Sequence, residues 1–300
     1  MSARLLRLLA AAVGVVAVGV AVALVAAGGG GEAPVRTDPH ASVQLTAAQS
    51  RRLLNATQAA STGTPRAELV AEGRALFRSA AVAKAGESCQ SCHTEGAANA
   101  ELGATPHPVV DGDFKGVRDP PALWGVDRTA PYFWDAKRAT LRETVVDTIL
   151  NHFREGASQS AEKTGEQAAA LVAYLSTLRA PRTSFDSGTL SAAAQRGLRL
   201  FQTKGTCSAC HGGPDFTDNN LHDTFVPKPR GDTDPGARTP AGTFNTPHLR
   251  DLRNTAPYMH NGSIGTLREV VEFYDQRSSV APLRLTAAEV DDLVAFLEEL

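Results

Sequence analysis

The chain of 300 residues is poor in sulfur and has no excess of either charge. Its 30 lysines and arginines are balanced by 32 aspartates and glutamates, which argues against a nucleic-acid binder, because a polyanion selects a basic surface. The only methionines are Met1 and Met259, and the four cysteines all fall in two short motifs, so no cysteine is left for a disulfide. Sustained alternation of apolar and polar residues is also missing, which argues against a fold built from half-buried strands.

The cysteines form two copies of the pattern C-x-x-C-H, which begin at Cys89 and Cys207. Two thiols on one turn reach the two vinyl groups of a single porphyrin, and the histidine that follows points its imidazole at the iron. A zinc site that joins both clusters is the alternative, whereas a thioredoxin-like motif needs no following histidine. The spacing predicts two covalently bound c-type haems, attached and ligated through Cys89, Cys92, His93, Cys207, Cys210 and His211.

The N-terminus carries a targeting signal. Arg4 and Arg7 precede an uncharged apolar run over 8–27, which is long enough to span a bilayer core of about 30 Å. The run is longer than the apolar part of a usual signal peptide, and the small residues at its end make a vague cleavage site. We therefore expect an uncleaved anchor in the inner membrane, with a cleaved signal as the alternative. Because covalent haem attachment is normally completed outside the cytoplasm, both features predict a periplasmic or extracytoplasmic protein.

The two halves of the chain repeat one another, because Thr129-Ala130-Pro131-Tyr132 and Thr140-Leu141-Arg142-Glu143 both recur 126 residues later. Apolar residues recur at helical spacing in each half. The prediction is an all-α fold of two tandem cytochrome-c-like haem domains with long loops, preceded by an N-terminal transmembrane or signal helix. The expected segments are the anchor or signal, a linker that contains a polar helix near its end, and the two haem domains, at 1–30, 31–65, 66–182 and 183–300.

Over residues 67–300 the chain resembles the bacterial di-haem cytochrome c peroxidase and MauG family. The similarity rests on the two haem motifs and on Phe133-Trp134-Asp135, Gly212-Gly213-Pro214-Asp215-Phe216, Leu252-Arg253-Asn254 and Ala256-Pro257-Tyr258-Met259-His260-Asn261-Gly262. It implies a haem-based oxidoreductase that reduces hydrogen peroxide or uses it to oxidise a redox partner, which is a small cytochrome, a cupredoxin or a protein substrate. The alternative is a non-catalytic di-haem electron carrier. A haem-based sensor is a third class, but no signalling domain supports it.

The resemblance also implies roles for individual residues. Trp134 stands where the family has an aromatic residue that relays electrons between the haems; a core aromatic at a domain interface is the alternative. Asp119 matches the side chain, and Thr255 and Pro257 match the backbone carbonyls, of a calcium site between the domains. An ordinary aspartate before a proline is the alternative reading of Asp119.

The sixth ligands decide the chemistry, because an iron with an open axial position binds peroxide and one with both positions filled transfers electrons. The first haem domain contains no methionine, so His107, His152 and an open position or another residue are the alternatives there. In the second domain, Tyr274 lies fourteen residues after His260. The family has methionine or, in MauG-type enzymes, tyrosine at this place, so we expect Tyr274 as ligand, with Met259 as the alternative.

Peroxide cleavage also needs a group that moves a proton between the two oxygens. At the places where the family has a glutamine and a glutamate, this chain has Thr144 and Arg154. Glu155 and His152 are the nearby groups that can replace them, and we take Glu155 as the candidate acid/base. Loss of the activity is the alternative.

Overall fold

A computed structural model of the chain describes residues 47–64, 66–82, 87–94, 107–111, 114–152, 160–228, 230–234, 236–237, 240, 242–277 and 282–300. All of these residues lie in one compact unit. None of the helices within these ranges is long and apolar enough to cross a membrane. The expected anchor at 8–27 lies outside the described residues.

Helices dominate the described part of the chain, as the sequence predicts. The first half contains α1 Ala47–Gly63, α2 Arg66–Arg78, α3 Cys89–Cys92, α4 Leu141–Asp147 and α5 Ala161–Leu175. The second half contains α6 Ser184–Ser187, α7 Ala192–Gln202, α8 Leu267–Arg277 and α9 Ala287–Glu298. The helix α4 continues into a π-helical turn, Thr148–His152.

The helix α1 occupies part of the segment that the sequence analysis assigns to a linker. Its Leu53 and Thr57 are buried, with 5% and 0% of their surface exposed. Gly165 of α5 is in close contact with it, since a Cβ atom there would lie 2.7 Å from the backbone nitrogen of Thr57. The helix α1 therefore packs onto the first half, where α5 covers its buried residues.

The two halves use the same helix crossing. A Cβ atom on Gly73 of α2 would lie 2.0 Å from the carbonyl oxygen of Ala170 in α5, and one on Gly197 of α7 would lie 1.9 Å from that of Asp292 in α9. Only glycine lets these backbones approach so closely. Each crossing is followed by an aromatic pair with ring centroids 5.3 Å apart, Phe77–Tyr174 and Phe201–Phe296.

Among the described residues, each half has one large hydrophobic core, and a smaller cluster lies between α2 and α5. The core of the first half is formed by side chains of α1, α2, α4 and α5, and that of the second half by side chains of α7, α8 and α9. The division into domains at residues 182 and 183 stays a prediction, because all described residues form one compact unit.

Two small antiparallel sheets depart from the all-α prediction. The strand β1, His107–Asp111, pairs with β2, Phe114–Arg118, and β3, Leu221–His222, pairs with β4, Phe244–Asn245. The sequence analysis treats these segments as loops because each strand has five residues or fewer, too short for a visible alternation. The hairpin does carry a local signal, since adjacent β-branched valines precede a Gly-Asp connection.

The halves pair reciprocally through their backbones. The N–H of Asp119 donates to the carbonyl oxygen of His260, and the N–H of Asn245 donates to that of Trp134, both at 2.8 Å. The two donors are 126 residues apart, and so are the two acceptors. The internal repeat thus becomes an approximate two-fold arrangement, in which each half holds the aromatic turn of the other.

Candidate haem centres and the interface between the halves

The first haem motif is built on the four-residue helix α3. Ser88 and Ser91 form a reciprocal capping box, in which each backbone N–H donates to the hydroxyl of the other residue. Such a box satisfies donors that so short a helix leaves unpaired. Nδ1 of His93 lies 3.0 Å from the carbonyl oxygen of Pro121. Because a carbonyl only accepts, Nδ1 carries the proton and Nε2 keeps its lone pair for a metal.

The second motif repeats this arrangement. The N–H of His211 donates to the carbonyl oxygen of Cys207 at 2.8 Å, as the N–H of His93 does to that of Cys89 at 2.9 Å. Nδ1 of His211 lies 3.0 Å from the carbonyl oxygen of Phe216. Burial lowers the pKa of His211, so that its ring is neutral. Both histidines therefore have the tautomer and the fixed ring that an axial haem ligand needs.

The cysteines are arranged for attachment rather than for a shared zinc site. Burial raises the pKa of Cys89 to about 12 and that of Cys207 to about 11, which keeps both thiols protonated. Among the described residues, the side chains close enough to hold a metal ion together are those of Cys210, Asp218 and His222, and no such cluster combines the two motifs. A zinc site requires thiolates gathered around one ion, so the zinc alternative has no support here.

The structure brings Tyr274 of α8 to the second motif. Burial, together with the neighbouring Cys207 and Cys210, raises the pKa of its phenol to about 12, although a hydrogen bond with Thr224 opposes the shift. The hydroxyl is therefore neutral until a cation such as iron is beside it. Met259, the alternative ligand, lies in the aromatic turn with φ of 72°.

The residues predicted around the first haem are only partly described. His107 lies in β1 opposite Arg118, and His152 ends the π-helical turn. Glu155 and Arg154 lie outside the described residues. The hydroxyl of Thr144 donates to the carbonyl oxygen of Thr140 at 2.9 Å, so it is engaged with its own helix.

Trp134 lies at the interface between the halves. Its indole N–H donates to the carbonyl oxygen of Asp119 at 2.7 Å. Its ring meets the edge of His260 at a centroid distance of 6.3 Å, and His260 stacks on Phe244 at 3.6 Å. Burial lowers the pKa of His260 to about 4, so this aromatic group is uncharged at neutral pH. The predicted relay residue is therefore held rigidly between segments of both halves.

Asp119 is a buried carboxylate with an unsatisfied oxygen. It is 5% exposed, and its Oδ1 has no hydrogen-bond partner among the described residues. Burial raises its pKa to about 7. The repeat-equivalent Asn245 donates its side-chain amide to the carbonyl oxygen of Pro131 at 2.7 Å, while its own Oδ1 also has no partner among the described residues. An ionised carboxylate has no proton with which to form the bond that the Asn245 amide forms, which distinguishes Asp119 from its counterpart in the repeat.

The sequence analysis did not identify the polar contacts that tie the halves together. Nε2 of His248 lies 3.2 Å from the carbonyl oxygen of Ala122, and its Nδ1 accepts the N–H of Arg250 at 3.2 Å. Arg118 forms a two-bond ion pair with the fully buried Asp234, at 2.7 and 2.8 Å. No sequence pattern marks these contacts, because the partners lie more than a hundred residues apart.

Comparisons with known proteins find related di-haem sequences and a solved structure with a similar fold. The family described as "Di-haem cytochrome c peroxidase" matches residues 67–178. The methylamine utilization protein MauG of Methylorubrum extorquens is 30% identical, and the match covers 78% of each chain. The cytochrome-c peroxidase IdrP2 of Pseudomonas sp. (strain SCT) is 37% identical over 42% of this chain, and the chain spans 45% of that relative's length. The solved structure of a MauG-like protein associated with microbial copper homeostasis superposes with a TM-score of 0.64 at 23% identity, over 77% of this chain and 88% of that one.

Proposed function

Because the chain belongs to the di-haem cytochrome c peroxidase and MauG family, we propose that it is an exported oxidoreductase whose first haem reacts with hydrogen peroxide. The haem bound at His211 would then supply or share electrons. The observation that carries this proposal is that the two proximal histidines are held alike, whereas Tyr274 adjoins the second motif and the equivalent position of the repeat in the first half holds Thr148. A haem without such a residue keeps a position for peroxide.

Haem supplies the redox chemistry when bound, and this chain's residues set its environment. Pro121 and Phe216 accept from Nδ1 of His93 and His211, which keeps each ring aligned and makes it a better donor. Tyr274 would hold the iron of the second haem as a phenolate, which would lower the midpoint potential of that haem relative to methionine. Met259 is the alternative ligand.

On the far side of the first haem, His107 and His152 are the candidate ligands, and we favour an open position over either of them. Glu155 is the proposed group that moves the proton between the peroxide oxygens, since Thr144 bonds to its own helix.

The proposed path for electrons runs through Trp134. An indole can be transiently oxidised, and this one is fixed by its bond to Asp119 and by its contact with His260. Because the turn that carries it is held by Asn245 of the other half, the ring has a constant position relative to both halves.

We further propose a calcium ion beside Asp119. The buried, unpartnered Oδ1 supports it, as does the presence of an ionisable carboxylate where the other half has the neutral amide of Asn245. Asp119 would supply a carboxylate oxygen, and Thr255 and Pro257 would supply backbone carbonyls, which are the hard oxygen ligands that calcium prefers.

The proposal includes export across the cytoplasmic membrane, with residues 8–27 as an anchor. Haem attachment to C-x-x-C-H motifs outside the cytoplasm requires export, and peroxide and a small redox protein would meet the haem domains there. The partner is a small cytochrome, a cupredoxin or a protein substrate.

Steady-state turnover tests the function. The full-length holoprotein is mixed with peroxide and a reduced small cytochrome, and oxidation of the cytochrome is followed. We expect peroxide-dependent oxidation that stops when peroxide is exhausted. A non-catalytic electron carrier, the second candidate, is favoured by Thr144 at the family's glutamine position. It would exchange electrons with the cytochrome without consuming peroxide, and this result would refute the proposal.

A further inference from the structure

Two buried nitrogen atoms at equivalent positions of the repeat have no partner among the described residues. They are Nε1 of Trp124 and Nη1 of Arg250, and the two residues lie 126 positions apart. Buried N–H groups are rarely left unpaired, because removing them from water without a new acceptor is unfavourable. An acceptor at the same place in both halves is therefore expected.

The surroundings of Arg250 place its guanidinium beside the proximal side of the second haem centre. Its carbon lies 5.9 Å from the ring centroid of Phe216, whose carbonyl oxygen holds His211. Its Nη2 pairs with Asp186, and its side chain is 18% exposed. One edge of the guanidinium is thus anchored, and the other edge is buried and unsatisfied.

Trp124 has the same relation to the first centre. It follows by three residues Pro121, whose carbonyl oxygen holds His93. Arg250 likewise follows Pro247 by three residues, and the Pro247 carbonyl is a second hydrogen-bond partner of His211. The indole packs against the first hydrophobic core, which fixes its direction.

We propose that Trp124 and Arg250 are the buried donors to a propionate of the first and second haem, respectively. The propionates are the only carboxylates that a haem carries, and among the described residues the orphaned donors Trp124 and Arg250 occupy the same repeat position in the two halves. The inference rests on the two-haem assignment in the proposed function, and it does not depend on peroxide chemistry.

The pair makes the two haems electrostatically unequal. An indole N–H is a neutral donor, whereas a guanidinium is always charged and binds a carboxylate more strongly. The positive charge of Arg250, although reduced by its pairing with Asp186, favours the ferrous form of the second haem and raises its midpoint potential. Arg250 would therefore partly offset the lowering of that potential by a phenolate ligand.

The test uses Trp124→Phe, Arg250→Gln and Arg250→Lys in the full-length holoprotein. Resonance Raman spectroscopy reports the propionate bending band of each haem, and spectroelectrochemistry reports the two midpoint potentials. The control is Arg253→Gln, which removes an exposed arginine three residues from Arg250. Arg250→Lys keeps the charge and the means to pair with Asp186, so it allows the test even if Arg250→Gln fails to load haem.

Arg250→Gln should shift the propionate band of the second haem and lower that haem's potential, and Arg250→Lys should shift the band with a smaller fall in potential. Trp124→Phe should shift the band of the first haem only. Arg253→Gln should change neither band. Unchanged propionate bands in Trp124→Phe and in both Arg250 variants would overturn the proposal. A band shift in the Arg253→Gln control as large as that in the Arg250 variants would also overturn it. Absence of peroxide turnover in the wild-type holoprotein, with the expected band shifts still present in the variants, would instead count against the proposed function alone.

Discussion

At the scale of single residues, the two haem motifs are alike, and the side chains around them give the two haems different proposed roles. The attachment cysteines and proximal histidines follow from sequence spacing, because the chemistry requires all of them within one turn. The surroundings of Asp119 do not follow from the sequence, because they depend on the pairing of two halves. The offset of 126 residues pairs Asp119 with Asn245, but only the folded backbone shows that both residues donate a hydrogen bond to the other half.

Tyr274→Phe tests the proposed ligand of the second haem. We expect loss of the phenolate-to-iron absorption band and a rise in that haem's midpoint potential, because a phenolate favours ferric iron. Tyr258→Phe is the matched control, since its hydroxyl is bound to the carbonyl oxygen of Leu252 at 3.0 Å. An unchanged ferric spectrum in Tyr274→Phe would eliminate Tyr274 as ligand.

Asp119→Ala tests the calcium site. The wild-type protein should gain about 3 kcal/mol of unfolding free energy at a hundredfold excess of calcium over its dissociation constant. The variant should gain nothing, because the carboxylate ligand is gone. Asn245→Ala, the control in the other half, should lose about 1 kcal/mol with its hydrogen bond and keep the calcium response. Chemical denaturation with calcium or with a chelator measures both, and equal calcium responses in all three proteins would rule out Asp119 as a ligand.

At the scale of elements, the helices could be predicted from apolar spacing, whereas the hairpin β1–β2 and the packing of α1 onto the first half could not. Strands of five residues leave little periodic signal, and α1 is too polar for its few buried residues to reveal a core face. The role of the glycines at the helix crossings could likewise not be predicted from the sequence. Their importance depends on a backbone that lies about a hundred residues further along the chain.

Gly73→Ala and Gly197→Ala should each destabilise the protein by about 3 kcal/mol, because the added methyl group meets the backbone of the crossing helix. Gly188→Ala is the control. Gly188 has φ of 67° and open space around it, so only the left-handed backbone is disfavoured, at about 1 kcal/mol. Urea unfolding of the holoproteins measures the difference. Equal losses at all three positions would show that the close crossings are not tight in solution.

At the scale of the whole molecule, the repeat creates an interface that neither half has alone. Backbone hydrogen bonds cross it reciprocally, and Trp134 lies within it. The duplication could be predicted from the sequence because the repeated motifs have a constant offset. The reciprocal contacts between the copies could not, since the offset does not say which surfaces of the two halves meet.

Trp134→Phe should slow electron transfer between the haems while leaving both midpoint potentials unchanged, because phenylalanine is much harder to oxidise than an indole. It should also cost about 1 kcal/mol of stability through loss of the bond to Asp119. Trp134→Tyr, which restores an oxidisable ring, should recover part of the rate. Flash-induced reduction of one haem followed by time-resolved absorption gives the rate, and a wild-type rate in Trp134→Phe would exclude the relay.

The central claim is that two equally attached haems divide the work, with the His93 haem open to peroxide and the His211 haem closed by Tyr274. Rapid mixing of the diferric holoprotein with one equivalent of peroxide, followed by freeze-quench electron paramagnetic resonance, tests this most directly. We predict that the high-spin signal of the first haem disappears within the first turnover, in Tyr274→Phe as in the wild type. A diferric protein that is entirely low-spin, and whose spectrum and peroxide content stay unchanged after mixing, would contradict the account.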